Sequence, residues 1–253
     1  MLSILRCEII KLRRLHLEWI IAGSALFTGF LELSAILYQK RNHGTLFSWD
    51  WLMFTNFRYV SYLIIPIVVS LLVGFLIARE YQDNTANVIF TYRYPRNWFL
   101  IGKYLVIIPL LFILILLEFA ATIGAGLLLP GHPSLTLAMI EHYMRIYGLL
   151  FLMVLCFVPA AALISIIFKS YIASTIYGLI VLISGAITIN SPTIGLWYPW
   201  AAPIVIISSY FPNNPNATPA LDDWKGMISL LLLFVVPLLI NFRLYRRIDI
   251  ANT

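Results

Sequence analysis

Few ionisable side chains stand in a pattern that could do chemistry. Glu141 and His142 are adjacent, and a carboxylate beside an imidazole could act as an acid and base pair or share a metal ion. Neighbours in sequence point to different faces of a helix, however, and no second histidine follows four residues later to complete a metal site. The sequence therefore predicts no catalytic residue, no metal ligand and no cofactor-binding residue in this chain.

The sequence also lacks a P-loop, the pattern GxxxxGK[ST] that wraps ATP phosphates and places a hydroxyl on magnesium. Gly102-Lys103-Tyr104 is the nearest approach, but the upstream glycine is missing and a tyrosine replaces the serine or threonine. We therefore expect that the chain alone does not hydrolyse ATP.

The elements that position these residues must suit lipid rather than water. Hydrophobic residues make up 61% of the chain and charged residues only 11%, whereas soluble domains carry about a quarter charged residues. The formal net charge is +6, and the basic residues flank apolar segments, where they meet anionic lipid headgroups. We therefore expect membrane lipid as a partner and no nucleic acid.

Six apolar segments are long enough to cross a membrane, because a helix needs about 20 residues to span the hydrocarbon. Before them, in residues 1–14, Leu5, Ile9 and Leu12 share one helical face, which predicts an amphipathic elbow helix in the headgroup plane. The predicted fold is an all-α integral membrane protein in which residues 1–253 form a single transmembrane domain. The six segments lie at about 17–38, 60–78, 103–129, 146–168, 171–190 and 226–242.

The basic residues predict an orientation. Most of the 17 lie on one side of the six segments, and the positive-inside rule makes that side cytoplasmic. Both termini are then cytoplasmic. The residues on the predicted inner side are Arg6, Lys11, Arg13, Arg14, Arg79, Arg93, Arg96, Lys103, Lys169, Arg243, Arg246 and Arg247.

Residues 191–225 are predicted as an extracellular hairpin and loop before the last span. The stretch 195–211 is apolar enough to be mistaken for a seventh span, but Pro199 and Pro203 interrupt it. A full crossing there would also place the C-terminal arginines outside. We therefore predict a re-entrant or interfacial hairpin, with Trp200 between its prolines, that needs protein around its free backbone groups.

Two glutamates within predicted spans are candidates for a polar pathway or for helix packing. A charged carboxylate at the centre of a span costs about 2.5–3.5 kcal/mol by insertion scales, so such residues are rare. Glu118 is predicted to be the deeper one, and Glu32 lies near the outer end of its span. A neutral, hydrogen-bonded carboxylic acid that stabilises packing is the alternative for Glu118.

One connection between spans, residues 79–102, is long, charged and cytoplasmic in this topology. It mixes charges with apolar residues, so it could present a short amphipathic helix to a cytoplasmic partner, and Pro95 should end that helix before Arg96. A solvated loop whose charges only follow the topology is the alternative interpretation.

The same connection resembles that of type 2 ABC export permeases. Their order of a glutamate, a glycine-threonine pair, an apolar run, a proline with an arginine, and a lysine is similar to Glu80, Thr85, Pro95-Arg96 and Lys103. Asn84 replaces the glycine. Residues 8–14 and 168–170 also resemble this family, and residues 198–203 are most similar to permeases of bacitracin-type and lantibiotic self-protection transporters.

The resemblance implies a permease subunit of an ATP-driven exporter in a bacterial plasma membrane. A cognate ATP-binding subunit, which holds ATP and Mg²⁺, would be coupled through Glu80, Thr85, Arg93, Arg96 and Lys103, and a second membrane subunit, identical or homologous, would complete a dimer. The expected cargo is an amphiphilic peptide antibiotic or similar compound, whose export would give self-protection, lantibiotic immunity or antibiotic resistance. A membrane-embedded enzyme acting on lipid or peptide, and a non-transporting assembly or sensory subunit, are the alternative functions.

Overall fold

The computed structural model describes residues 2–12, 16–43, 47–82, 95–129, 134–188, 192–211 and 223–247, and every regular element within those ranges is helical. This confirms the predicted all-α class. The helices are α1 (Leu2–Leu12), α2 (Leu17–His43), α3 (Trp49–Tyr59), α4 (Ile65–Gln82), α5 (Arg96–Leu127), α6 (Leu137–Leu155), α7 (Val158–Phe168), α8 (Tyr171–Thr188), α9 (Pro192–Trp197), α10 (Ala202–Ser208) and α11 (Asp223–Arg247).

Within the same ranges, six helical stretches are long and apolar enough to cross a membrane. Their number and order confirm the six predicted spans. The stretches are Leu17–Asn42, Trp49–Gln82, Arg96–Leu127, Leu137–Phe168, Tyr171–Thr188 and Trp224–Arg246.

Several spans begin earlier than predicted, because hydropathy falls at polar residues that the fold pairs with one another. The helices of the second and fourth spans start at Trp49 and Leu137. Asp50 on α3 accepts a hydrogen bond from the Tyr143 hydroxyl on α6 at 2.6 Å. Farther along the same two helices, the Tyr147 hydroxyl donates a hydrogen bond to the Asn56 side-chain oxygen. Polar side chains that the hydropathy pattern places in loops therefore lie between two packed helices.

The second span passes through a π-helical turn, Val60–Ile64, that joins α3 to α4 directly. Pro66 follows at once, and proline both lacks an N–H and clashes with the carbonyl four residues earlier. The wider turn accommodates that clash. Beyond it, α4 runs through the middle of the bundle, with side chains such as Leu72, Val73 and Ile77 almost completely buried.

α4 and α8 pack closely because small residues line both helices where they meet. Ser174 on α8 donates a hydrogen bond to the Ser70 carbonyl on α4 at 2.7 Å. A Cβ added to Gly178 would lie 2.4 Å from the Pro66 carbonyl oxygen, and one added to Gly74 would lie 2.7 Å from the Ser174 Cβ. Any side chain at these glycines would push the two helices apart.

The fourth span is broken at Cys156 and Phe157, between α6 and α7. Pro159 in the first turn of α7 has no N–H for the helical ladder, which favours the break. The Asn241 amide on α11 donates to the Pro159 carbonyl at 2.8 Å and to the Tyr104 hydroxyl at 2.9 Å. These bonds tie α11 to both α7 and α5.

Residues 192–208 hold two short helices, α9 with 6 residues and α10 with 7, instead of a seventh span. Every residue of α10 is buried, so protein surrounds its backbone ends as the predicted hairpin requires. Trp200 lies between the two helices, and its ring stacks on Phe157 with the centroids 4.0 Å apart. Pro199 precedes it, and Pro203 lies in the first turn of α10.

The predicted hairpin and loop, residues 191–225, ends too late, because α11 already begins at Asp223. Residues 212–222 of that loop lie outside the described residues. The extracellular location of the hairpin stays a prediction.

Gly178→Ala tests the close approach of α4 and α8. The added methyl group meets a backbone carbonyl that cannot move aside, so we expect a loss of about 1–3 kcal/mol, the usual cost of overpacking. Gly124→Ala on α5 is the matched control, because nothing lies within 4 Å of the added Cβ. That variant should be neutral or more stable by up to about 1 kcal/mol, since alanine favours helices. Thermal unfolding of the detergent-solubilised variants measures the difference, and equal unfolding temperatures would contradict the close packing.

Candidate functional site

Four charged side chains from three helices meet at one end of the bundle, and we name them the basal cluster. Glu8 and Lys11 come from α1, Glu80 from the last turn of α4, and Lys103 from the first turns of α5. The cluster contains two carboxylates and two ammonium groups, so its formal charge is zero. A balanced set of this kind can be buried, whereas an unpaired charge cannot without a large desolvation cost.

Lys103 is the most buried member of the basal cluster, with 1% of its side chain exposed. Its ammonium lies 2.9 Å from a Glu80 carboxylate oxygen and 3.5 Å from one of Glu8. The same ammonium donates to the Leu76 carbonyl at 2.7 Å. Lys103 thus clamps the end of α4 to the beginning of α5 through both a side chain and the backbone.

Lys11 closes the other side of the cluster. Its ammonium lies 2.7 Å from the Glu8 carboxylate and 2.8 Å from that of Glu80. Burial alone would lower the pKa of Lys11, but the negative charges of Glu80 and Glu8 outweigh burial and raise that pKa above its ordinary value. Lys11 therefore keeps its positive charge and holds α1 against α4.

The last helix forms a wall beside the cluster. Tyr245 on α11 is almost completely buried and lies near the carboxylates of Glu80 and Glu8. One residue later, the Arg246 guanidinium donates to the Asn97 side-chain oxygen on α5 at 2.7 and 3.1 Å, with the Asn97 amide oriented to accept. The cluster and its neighbours therefore join α1, α4, α5 and α11.

The predicted cytoplasmic connection, residues 79–102, is shorter in the structure. α4 continues to Gln82, and α5 begins at Arg96 with Pro95 as its N-cap, so both ends of the predicted loop are helical. The short helix that Pro95 was predicted to end falls in the connection, so that prediction is not tested by the described residues. Glu80, which belongs to the predicted connection, instead pairs with Lys103 inside the fold. Residues 83–94, which include Thr85 and Arg93, lie outside the described residues.

α1 contacts the bundle mainly through residues outside its predicted apolar stripe. Ile9, one member of that stripe, is half exposed, whereas Ile4 and Glu8 are buried. Ile4 packs against Gly102, where a Cβ would lie 3.0 Å from the isoleucine side chain, and Glu8 pairs with Lys103. The inner face of α1 is defined by Ile4 and, one turn later, by the buried carboxylate of Glu8. A pattern of hydrophobic residues cannot identify this face, because one of its two residues is charged.

Glu8 and Lys11 were not among the predicted site residues. Both fall within the stretch that resembles export permeases, and their spacing of three residues places them on one helical face. This spacing is also common in exposed helical ion pairs. Only the position of the basic partner on α5 reveals that Glu8 is buried and that the pair belongs to the packing of the bundle.

Glu32 and Glu118 form a second polar site, in the interior of the bundle. Both carboxyl groups have no exposed surface. Thr28 donates to Glu118, and Thr122 donates to Glu32 at 3.1 Å, so the two glutamates, which were predicted separately, lie together between α2 and α5. The hairpin residues around Trp200 form a third group, separate from the other two.

A comparison with family models matches residues 4–185 to the family described as ABC-2 family transporter protein. The match includes the basal cluster and both interior glutamates, and it ends within α8. A search of curated proteins finds no match to the chain.

Lys103→Met and Glu80→Gln test whether the basal cluster is a charge-balanced unit. Each single substitution leaves an unbalanced buried charge, so we expect a loss of about 3 kcal/mol for each. The double variant retains the balanced pair of Glu8 and Lys11, and its loss should be clearly smaller than the sum. Thermal unfolding in detergent provides the measurement.

Glu141→Gln is the control for that experiment. Glu141 and Arg145 form an ion pair on α6 whose side chains are 65% and 75% exposed, so its loss should cost less than about 1 kcal/mol. If the Lys103→Met and Glu80→Gln losses are simply additive, the two charges act independently and the cluster is not a unit.

Proposed function

The chain belongs to the ABC-2 transporter family as a multi-pass membrane permease subunit, and from this premise we propose that it exports an amphiphilic peptide antibiotic or a similar compound. Removal of that compound from the membrane would give self-protection, lantibiotic immunity or antibiotic resistance. The family implies an ATP-binding subunit as partner, and that subunit would bind ATP and Mg²⁺ and supply the energy.

The basal cluster is the observation that carries the coupling part of the proposal. Glu80 and Lys103 stand at the two sides of the connection between α4 and α5, and their ammonium and carboxylate are 2.9 Å apart. A force applied to that connection would therefore move the ends of both helices together. Lys11 and Tyr245 extend the same unit to α1 and α11.

Residues of the connection itself would receive the force. Thr85 and Arg93 belong to it by sequence, and Arg96 is the first residue of α5. Arginine suits a protein interface because its planar guanidinium can pair with carboxylates through two hydrogen bonds. We assign these residues to contact with the ATP-binding subunit, and Glu80 and Lys103 to transmission of its movement.

A bacterial plasma membrane with both termini in the cytoplasm fits the distribution of charge. Lys11, Lys103 and Arg246 lie at the same end of the bundle as the connection. Basic residues are retained on the cytoplasmic side during insertion. This orientation would present the connection to a cytoplasmic ATP-binding subunit.

A second membrane subunit would be needed to form a path. The interior around α4 is filled, since Ile65, Leu72 and Val73 have no exposed surface. The outer faces of other spans are strongly apolar and exposed, with Trp19, Leu26 and Phe30 on α2 as examples. A path between two subunits, identical or homologous, is therefore the arrangement we propose, with an amphiphilic compound entering from the lipid.

Co-purification with the ATP-binding subunit encoded beside this chain tests the coupling. In lipid, an Arg93→Ala/Arg96→Ala variant should lose at least about tenfold in ATP hydrolysis, because misplacement of catalytic parts is costly. Arg145→Ala is the control, since Arg145 lies on the exposed surface of α6 and outside the connection. Unchanged complex formation and hydrolysis in the double variant would refute the assignment of the connection.

Stimulation of hydrolysis by a panel of amphiphilic peptides tests the cargo and the transporting role. A peptide substrate should raise hydrolysis by the wild-type complex and be depleted from loaded vesicles. If an ATP-binding partner associates and hydrolyses ATP, but no compound stimulates that hydrolysis, a non-transporting sensory or assembly subunit is favoured instead.

A further inference from the structure

The two interior glutamates are held by a reciprocal arrangement of hydrogen bonds. Thr28 and Glu32 are one turn apart on α2, and Glu118 and Thr122 are one turn apart on α5. Each threonine donates to the glutamate of the opposite helix, at 3.1 Å in the case of Thr122 and Glu32. All four residues have no exposed surface. The arrangement orders two carboxyl groups beside each other at the α2–α5 contact.

Each carboxyl group has one oxygen without a partner. Glu32 Oε2 and Glu118 Oε1 accept no hydrogen bond, and both are buried. The Asn56 amide nitrogen on α3 is buried and faces the Glu32 carboxyl group without an acceptor at ordinary hydrogen-bond distance, whereas its oxygen accepts from Tyr147. Buried polar groups are nearly always paired, so three unpaired atoms in one place point to a missing species.

No positive charge compensates the two carboxyl groups among the described residues that face them. The facing side chains are Ser24 and Thr28 on α2, Asn56 on α3, Thr122 on α5 and Tyr147 on α6. Tyr147 is the only other titratable group of this set, and it is fully occupied as a donor to Asn56. The lysines of the basal cluster are paired with their own carboxylates.

We propose that Glu32 and Glu118 form a proton-binding site that holds one proton between two carboxyl groups. A proton from water bonds to one free carboxylate oxygen, which turns that group into an O–H donor and halves the negative charge. The other carboxylate accepts from it, and the Asn56 amide is placed to donate to the remaining oxygen. A proton fits because the site is fully enclosed and because the amide presents a donor, which a metal ion would not accept as a ligand.

Loss of the proton would place two unscreened like charges across the α2–α5 contact. Like charges at short range repel strongly in a medium of low dielectric constant. Occupancy of the site is therefore linked to the packing of α2 against α5, independently of the cargo and of any ATP-binding partner.

Infrared difference spectroscopy of the purified full-length chain tests the proton directly. At neutral pH the wild type should show the carbonyl band of a protonated carboxylic acid, with a shift in D₂O. Glu32→Gln or Glu118→Gln should remove or displace that band, whereas Glu141→Gln, at an exposed site, should leave it. Absence of the band from the wild type at neutral pH would overturn the proposal.

Thermal unfolding at several pH values provides a second readout, because the neutral amide variants should still fold. A carboxyl group that is protonated in the fold and ionised after unfolding makes folding take up a proton, so stability falls as the pH rises. The wild type and Glu141→Gln should lose stability as the pH rises above about 5, beyond the ordinary range of a free carboxyl group, while Glu32→Gln/Glu118→Gln should depend much less on pH. A pH-independent wild type would contradict the site.

A comparison of salts tests whether the site binds a metal cation instead of a proton. If sodium or potassium chloride, compared with choline chloride, stabilises the wild type and not the double variant at high pH, the site binds a metal cation and the proton assignment is wrong. None of these measurements needs the ATP-binding subunit, so failure of the proposed transport function leaves their outcome unaffected.

Discussion

The balance of charge inside the basal cluster is the constraint on which the rest of this structure depends. A lysine buried to 1% exposure is tolerable only because two carboxylates and a backbone carbonyl surround its ammonium. The same pairing places Glu8 on the inward face of α1 and holds the end of α4 against the beginning of α5. Helices that hydrophobic contact alone would leave free to slide past one another are fixed in register at this end. The connection between α4 and α5 therefore starts from a rigid base.

Backbone hydrogen bonding imposes a second constraint, which explains the irregular parts. Prolines interrupt the second and fourth spans and the hairpin, and each interruption is surrounded by protein. Pro66 follows a π-helical turn, the Pro159 carbonyl accepts from Asn241, and α10 is buried along its whole length. Irregular backbone is acceptable at membrane depth only under such cover. The stacking of Trp200 on Phe157 places the hairpin against the break in the fourth span, so two irregular segments stabilise each other.

The sequence predicted the helical class, the six spans and the hairpin, because each depends on composition and local pattern. Pairing between distant residues is not local, and there the predictions were incomplete. The charges of the connection left a solvated loop as an alternative, and Glu8 was not among the predicted site residues, because the local pattern does not record a partner on another helix. Glu32 and Glu118 were identified separately as interior carboxylates, but their reciprocal threonine bonds require the register of α2 against α5.

α5 belongs to both polar sites, and this gives their arrangement a mechanical meaning. Lys103 and Glu118 stand fifteen residues apart on that helix, about 22 Å along its axis. Pro109 lies between them and donates no hydrogen bond to the carbonyl four residues earlier, so bending is easiest there. The lower part of α5 is clamped to α1 and α4 by balanced charges, whereas the upper part faces α2 through carboxyl groups that lack a counter-charge. A displacement of the clamped part must then bend α5 at Pro109 or shift the upper part of α5 against α2, where the two carboxyl groups lack a counter-charge.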